Sequence, residues 1–328
     1  MKPRHPRFIG AALALFLCVG VATAFAQQPF PSRPIRILVP QAAGSTADLM
    51  ARAIGNEVAK QLGQPLIVDN KPGAGGGIAM AELAHTAPDG YTIGLASQGT
   101  LVFNLSLYAK PGYDSVKDFA PISFVGGVSN VMVVPSNSTA KTVADVIAAA
   151  KTKPGALTFS SGGSGTSHHL SGVLFSQLTG ADAMHVPYKG APQGILAVMS
   201  GEVDMGFYNT PTVLTQIKAG KLKALAVTSL ARLPLLPEVP TLDASGVKGY
   251  EVNTWFGFVA PAGTPRDVLE RLHDAIEKSL ASPALRAQLL VQGVDIAKDQ
   301  SPAVLTRMLK DDLSKWPSII KASGAKVD

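Results

Sequence analysis

Short apolar runs alternate with helix-like segments along the first third of the chain. Apolar runs at 34–39, 66–68 and 91–96 predict three strands, and apolar residues at 3.6-residue spacing between them predict two helices. This β-α-β-α-β order predicts an α/β fold with a parallel sheet and helices on both faces. Right-handed crossovers place the strand–helix loops at one sheet edge, where open α/β sheets bind ligands.

The second half of the chain keeps this alternation. Two apolar runs lie between residues 121 and 134, and further strands are predicted at 156–159, 184–187, 203–207, 222–227 and 254–259. Helices are predicted at 143–151, at 170–179, around 195–199 and at 212–219. Two amphipathic helices, 268–280 and 305–316, close the sequence. If residues 35–125 form one lobe and 130–250 another, the last segment returns to the first lobe and gives a hinge with two crossings.

Two strand–loop–helix junctions, at 37–48 and 159–170, have the composition of an anion site. In the second junction Gly, Ser and Thr precede a helix on which Leu170, Val173, Leu174 and Leu178 share one face. Glycines let a backbone approach a ligand closely, and the first turn of a helix offers unpaired N–H groups at the positive end of its dipole. Two such junctions far apart in sequence predict two lobes that face one ligand.

The N-terminus has the pattern of an export signal. Lys2, Arg4 and Arg7 precede an apolar run at 8–21 that is short for a membrane span, and residues 24–26 fit a small-x-small cleavage site. Cleavage after Ala26 would release a periplasmic chain that starts at Gln27. A membrane anchor is the alternative interpretation.

Charge and cysteine content exclude several classes of function. The signal carries three positive and no negative charges, so the formal net charge falls from +6 to +3 on its removal. The remaining positive residues are scattered, so no nucleic-acid partner is expected. Cys18, the single cysteine, lies in the signal, and the mature chain therefore has no thiolate for a metal or a nucleophile.

Motifs for cofactors and metals are incomplete. The glycine loop 73–77 has Ile78 where a dinucleotide fingerprint needs glycine, and no acidic residue follows at the required spacing. His168 and His169 are adjacent, so on a helix they point about 100° apart rather than at one metal. Helix capping and packing is the role expected for at least one of them. No cofactor and no metal site is predicted.

A serine hydrolase is the rival enzyme class. Residues 162–166 approach the nucleophile elbow G-x-S-x-G, with Ser164 at its centre and Ser167 nearby, but Thr166 replaces the last glycine. A triad also needs a late histidine, and His273 is the only one beyond residue 185.

Three polar residues have two interpretations each. Asp48 either caps the first helical turn or faces the cleft and binds a ligand. Lys189 either screens a ligand carboxylate or is solvated. Asn209, just past a strand, is either a turn residue or part of the cleft wall.

A series of short motifs runs in order from about Pro31 to the C-terminus. It comprises 33–36, 39–40, 43–44 with Asp48, 70–76, 88–92, 117–121, 165–167 with His169, 185–190, 219–222 with 224–227, Pro237 with 239–241, and 260–265. No single motif is specific, but the ordered set resembles the Bug family, the TctC-like substrate-binding proteins of tripartite tricarboxylate transport systems.

The resemblance implies a two-lobed periplasmic binding protein of the Venus-flytrap type, in which each lobe is a mixed sheet flanked by helices. Lobe 1 would comprise residues 27–128 and 251–328, and lobe 2 residues 129–250. The residues implied to bind a small carboxylate are Gln41, Ala43, Gly44, Ser45, Thr46, Asp48, Ser97, Thr100, Gly165, Thr166, Ser167 and Asn209. Gln41 stands where the family commonly has an aromatic residue, and Ser45 where a second glycine is usual. Both lie in the loop that should contact the variable part of the ligand.

The favoured hypothesis is therefore a binding protein, not an enzyme. It would act as a monomer without a cofactor and present its closed, carboxylate-bound form to membrane permease subunits. A sensor that feeds a signalling receptor would use the same binding chemistry. Dicarboxylates, tricarboxylates, amino acids and aromatic carboxylates all carry the anchoring group, so the sequence does not select among them.

Overall fold

The computed structural model describes residues 29–327, which form ten strands and ten α-helices arranged in two lobes. The strands are β1 Ile35–Val39, β2 Leu66–Asn70, β3 Thr92–Ser97, β4 Phe119–Pro135, β5 Leu157–Ser161, β6 Ala183–Pro187, β7 Met205–Asn209, β8 Leu222–Val227, β9 Asn253–Pro261 and β10 Asp295–Ile296. The helices are α1 Thr46–Leu62, α2 Gly77–Ala84, α3 Asn104–Leu107, α4 Val143–Thr152, α5 Ser167–Thr179, α6 Ala191–Ser200, α7 Thr210–Lys218, α8 Arg266–Leu280, α9 Pro283–Leu290 and α10 Pro302–Ser323. The predicted export signal at 1–26 lies outside the described residues. Within 29–327 no helix has the length and apolar character needed to cross a membrane.

The strands form one mixed sheet in the order β2-β1-β3-β9-β4-β7-β5-β6, with β8 and β10 also pairing with β4. In the first lobe β1 pairs in parallel with β2 and β3, as the sequence predicts, and β9 runs antiparallel to β3 and β4. In the second lobe β5 pairs in parallel with β6 and β7, while β4 runs antiparallel to β7 and β8.

The long strand β4 joins the two lobes. The two apolar runs predicted between 121 and 134 are one strand of 17 residues. Its part up to Ser129 pairs with β9, and its part from Asn130 onward pairs with β7 and β8. Gly126 lies at a register irregularity with φ 137°, and a β-carbon there would lie 2.1 Å from the Asp295 carbonyl oxygen. Because residue 126 has no side chain, β10 can pair with β4 at this point without interrupting the strand.

The helices cover the sheet on both faces and bury three apolar clusters. The predicted face of α5 is partly wrong, because Leu178 is 44% exposed while His168, His169 and Gly172 are buried. An apolar-periodicity rule misses this face because its buried residues are polar: His168 is hydrogen-bonded to Gly162 and Asn209, and His169 to Gly165. The sequence also did not predict α9 or β10. The closing helix α10 packs against α3 in the first lobe and α5 in the second.

Candidate ligand-binding cleft

A cavity of about 450 Å³ lies between the two lobes. The first lobe contributes the loops after β1 and β2, at 40–42 and 72–76, and the second contributes the loops after β5 and β6, at 162–164 and 187–191. We call this space the cleft cavity. Its loops follow the carboxyl ends of parallel strands, which is the edge at which the sequence predicts ligand binding.

Four helices begin at the cleft cavity. The residues just before α1, α2, α5 and α6 are Ser45, Gly76, Thr166 and Gly190, and all four line the space. Gly76 and Gly190 offer no side chain to cap their helices. The Gly77 N–H at the start of α2 donates to the Ala74 carbonyl, and the second residue of α6 is a proline, which has no N–H. The positive ends of four helix dipoles therefore converge on one space and favour an anion there.

The side chains around the cleft cavity carry little charge. Among the described residues that line it there is no Asp or Glu, and Lys189, which is exposed, is the only charged residue. An anion would consequently be held by backbone N–H and hydroxyl donors rather than by a buried guanidinium.

Asp48 supports the first-lobe loop from behind. Its Oδ2 accepts the Gly44 N–H at 2.9 Å, its Oδ1 lies 2.9 Å from the Arg52 guanidinium, and its own N–H donates to the Ser45 hydroxyl at 3.4 Å. Burial raises the pKa of Asp48, but the hydrogen bonds from Arg52 and Gly44 outweigh this and hold the pKa below its usual value. These contacts agree with the first interpretation of Asp48, in which it caps the first turn of α1.

The two histidines at the start of α5 hold the second-lobe loop. His168 Nδ1 accepts the Gly162 N–H and His169 Nδ1 accepts the Gly165 N–H, both at 3.3 Å. The Thr166 hydroxyl donates to the Gly163 carbonyl at 2.7 Å. Both histidines therefore have the capping and packing role that the sequence predicted for at least one.

A buried polar network extends from His168 into the hinge. His168 Nε2 lies 3.3 Å from Asn209 Oδ1, and the Asn209 amide donates to Asn130 Oδ1 on β4. Asn130 in turn donates to the Ser171 hydroxyl at 2.8 Å. Asn130 and Asn209 are at most 2% exposed, so the network fixes the loop to the strand that joins the lobes.

The lobes touch on both sides of the cleft cavity. The Tyr108 hydroxyl of the first lobe donates to the Ser164 carbonyl of the second at 3.1 Å. On the other side, a β-carbon at Gly190 would lie 2.6 Å from the Ala42 Cβ. The structure is therefore a closed form of the two lobes.

Three of the twelve residues implied to bind ligand, Gln41, Ser45 and Thr166, line the cleft cavity. The others lie beside or behind it, namely Ala43, Gly44, Thr46, Asp48, Ser97, Thr100, Gly165, Ser167 and Asn209. Ser97 and Thr100 are buried and bonded to each other, the Ser97 N–H donating to the Thr100 hydroxyl at 3.0 Å. A direct part of these nine residues in ligand binding stays a prediction.

Lys189, for which the sequence left a ligand-screening interpretation open, lines the cavity. Several other lining residues were not proposed from the sequence, among them the loop at 72–76, Tyr108, the neighbours of Lys189 at 187–188 and 190–191, and Val327. The two loops each combine glycine with a following helix, which is the same signal that identified the loops at 41–48 and 162–167. Val327 had no such signal, because contacts with a distant segment place it there: it forms a β-bridge with Tyr108, and its N–H donates to the Leu107 carbonyl at 3.0 Å.

The contacts of the candidate nucleophiles do not support a hydrolase. Neither the Ser164 nor the Ser167 hydroxyl is hydrogen-bonded to a histidine in the described part of the chain. His273 instead contacts Ser123, with 2.7 Å between Nδ1 and the hydroxyl, and neither residue lines the cleft cavity.

We expect acid to destabilise the protein between about pH 6.5 and pH 4. Burial lowers the pKa of His168 and of His169 to about 4, from an ordinary value of 6.5. The folded state disfavours the charged form of these histidines. Above pH 6.5 they are neutral in both the folded and the unfolded protein, and the full free energy of unfolding is present. As the pH falls from 6.5 towards 4, the unfolded protein binds protons that the folded protein does not, and the free energy of unfolding decreases. Protonation of His168 also removes the acceptor for the Gly162 N–H.

Urea unfolding at pH 7.5, 6.5, 5.5 and 4.5 measures this effect. His168→Gln should flatten the slope of unfolding free energy against pH, whereas His85→Gln, at an exposed position, should leave it unchanged. An unfolding free energy in the parent protein that is constant from pH 7.5 to 4.5 would contradict the prediction.

Comparisons with known proteins agree with this geometry. A family model described as tripartite tricarboxylate transporter family receptor matches residues 50–325. The chain is 37% identical over 315 residues to the UPF0065 protein in the tcbD–tcbE intergenic region of Pseudomonas sp. strain P51, covering 96% of this chain and 93% of that protein.

Solved structures show the same two-lobed architecture. The periplasmic binding protein BugD superimposes with a TM-score of 0.87 at 32% identity, over 90% of this chain and 99% of that one. MatC of Rhodopseudomonas palustris, solved with bound malate, gives 0.86 at 29% identity, over 89% and 100%. The two-lobed fold and the Bug resemblance, both inferred from the sequence, are confirmed.

Proposed function

The chain belongs to the tripartite tricarboxylate transporter receptor family, and we propose that it captures a small carboxylate in the cleft cavity and delivers it to the membrane subunits of a tripartite transporter. The observation that carries this proposal is the convergence of four helix N-termini on a space whose described lining has no acidic side chain. Such a site compensates one or two carboxylate charges through fixed N–H dipoles.

The closed form supports delivery as the second half of the function. Tyr108 on one side and the Ala42–Gly190 approach on the other bring the lobes together around the cavity. A ligand that contacts both lobes binds the closed form more tightly than the open one, so it shifts the population towards closure. A membrane partner that binds only the closed form then distinguishes the ligand-bound protein from the ligand-free protein.

The remaining parts of the proposal concern place and organisation. The protein acts in the periplasm as a monomer after cleavage behind Ala26. Its ligand site comprises the twelve residues implied by the family resemblance together with the loops at 72–76 and 187–191. The boundary between lobes falls near residues 128 and 251, which is supported by the switch of β4 from β9 to β7 at Asn130.

The proposal predicts stabilisation by malate or by another di- or tricarboxylate. At a ligand concentration a hundredfold above Kd, binding should add about 2.7 kcal/mol to the free energy of unfolding. For a chain of this size that corresponds to a rise of several degrees in Tm. Differential scanning fluorimetry of the chain from Gln27 onward measures it, with the matching amides as uncharged controls.

Mass spectrometry of the denatured protein must accompany this test, because a co-purified ligand would mask the shift. If a protein shown to be empty gains no stability from any carboxylate, the proposed binding chemistry is wrong. An equal rise in Tm with the uncharged amides would show that the helix dipoles do not contribute to binding.

A further inference from the structure

On the Tyr108 side of the cleft cavity, the two lobes meet through glycine backbone. A β-carbon at Gly75 of the first lobe would lie 2.5 Å from the Ser164 carbonyl oxygen of the second. A β-carbon at Gly99 of the first lobe would lie 2.9 Å from the Gly165 carbonyl oxygen of the second. We call these four residues, together with Asn104, the glycine seam. Because its members belong to different lobes, the seam forms only when the lobes close.

The side-chain nitrogen of Asn104 is bonded within the first lobe. Asn104 is the first residue of α3 and is 1% exposed. Its side-chain amide donates to the Gly75 carbonyl at 3.2 Å and to the Ala74 carbonyl at 3.4 Å. Turning the amide over would set its oxygen against these two carbonyl oxygens, so the bonds fix its orientation. They do not cross between the lobes, and opening of the cleft leaves them in place.

The side-chain oxygen of Asn104 lies in the glycine seam. A β-carbon at Gly165 would lie 2.3 Å from this oxygen and one at Gly75 would lie 2.7 Å from it, so glycines of both lobes pack against it. The oxygen is buried and has no hydrogen-bond partner among the described residues. The Gly165 N–H does not serve it, because that group donates to His169 Nδ1 at 3.3 Å. Closure therefore buries an acceptor without pairing it.

This loss is specific to the closed form. When the lobes separate, Gly165 moves away from Asn104 and water can reach the side-chain oxygen. Tyr108 behaves differently, because on closure its hydroxyl exchanges water for the Ser164 carbonyl at 3.1 Å. An acceptor that exchanges water for no partner loses its hydrogen bond, whereas a matched exchange is nearly neutral. The seam thus contains one contact that opposes closure.

We propose that Asn104 holds the ligand-free protein open, because its side-chain oxygen is hydrated in the open form and stranded in the closed one. A ligand that contacts both lobes outweighs this loss and makes the closed form the major one. This inference rests on the proposed function, since it assigns the closed form to the ligand-bound protein. A membrane partner that binds the closed form would consequently meet few empty binding proteins.

The closed-to-open ratio of the ligand-free protein is measurable by double electron–electron resonance. Cys18 is the only cysteine, so the chain from Gln27 onward has none and two introduced cysteines are the only sites for spin labels. Ile67→Cys on β2 and Met184→Cys on β6 suit this purpose. Both positions are more than half exposed, and the two strands lie at opposite ends of the strand order, away from β4. The protein is first shown to be empty by mass spectrometry.

Two replacements of Asn104 should shift this ratio in opposite directions. Asn104→Ala removes the stranded oxygen and should raise the closed-to-open ratio about 5-fold or more. Asn104→Asp buries a charge on closure and should lower the ratio. Both variants lose the amide bonds to Ala74 and Gly75, so a role in holding that loop alone would move both ratios in the same direction. Asn56→Ala and Asn56→Asp, at an exposed position on α1, are the matched controls and should leave the ratio unchanged.

Three results would overturn the proposal: a ligand-free parent that is mostly closed, an unchanged ratio in Asn104→Ala, or shifts of both Asn104 variants in the same direction. Thermal melts establish that each variant is folded, and if the aspartate variant is not, the ratio of the alanine variant decides. The distance measurement needs no ligand. Failure of the carboxylate screen would contradict the proposed function, and the effect of Asn104 on the ratio would still be decided by the distances.

Discussion

Replacing Gly190 by alanine should weaken carboxylate binding by roughly 5- to 150-fold while leaving the stability of the ligand-free protein nearly unchanged. The new β-carbon would lie 2.6 Å from the Ala42 Cβ across the cleft, much closer than two carbon atoms approach in proteins. Overpacking of this kind costs about 1–3 kcal/mol, and each 1.4 kcal/mol is a factor of ten in Kd. Because the two atoms belong to different lobes, the cost applies to the closed form alone.

The backbone at Gly190 does not itself require glycine. Its φ of 169° is extended and accessible to alanine, so the variant introduces an obstacle without local strain. Isothermal titration with the carboxylate identified by the stability screen measures the loss. Ala42→Gly removes the opposing methyl group, so the double variant Ala42→Gly/Gly190→Ala should recover most of the affinity. Failure of this rescue would mean that closure does not bring these two loops together.

The order of elements was accessible from the sequence because each signal was local. The parallel strands β1, β2 and β3 each appeared as an apolar run bounded by turn residues, and β8 was predicted with its bounds. At β4 and β10 the prediction failed because a contact between residues far apart in the chain determines the structure there. β4 appeared as two runs because Gly126 accommodates β10, and β10 comes from about 170 residues later in the chain.

The candidate site was predictable where a loop carries both glycine and a helix start. That rule found the loops before α1 and α5, and applied consistently it would also have found the one before α6. It could not separate lining residues from supporting residues, because Thr166 and Ser167 are neighbouring hydroxyl residues at the start of α5 and only Thr166 lines the cleft cavity. The difference depends on side-chain direction, which a pattern of residue types does not contain.

Replacing Asn130 by aspartate should destabilise the protein by about 3–5 kcal/mol at pH 7, the largest loss that we expect from a nearly isosteric change. Asn130 is fully buried, and its amide donates to the Ser167 carbonyl and the Ser171 hydroxyl while its oxygen accepts from Asn209. Aspartate would place a negative charge without a cation in this network and would set an oxygen against the Ser167 carbonyl. At 2–4 °C per kcal/mol, Tm should fall by about 10 °C.

The pH dependence of the Asn130→Asp variant distinguishes a buried charge from a simple packing defect. A carboxyl group buried without a cation has a raised pKa, so the folded state favours its protonated form. The destabilisation relative to the parent is then fully present well above that raised pKa and decreases as the pH falls through it. Urea unfolding of parent and variant at pH 7.5 and 5.5 tests this sign. Asn137→Asp, at an exposed position just after β4, is the matched control and should change stability by less than about 0.5 kcal/mol. Equal losses in the two variants would show that the Asn130 network does not stabilise the hinge.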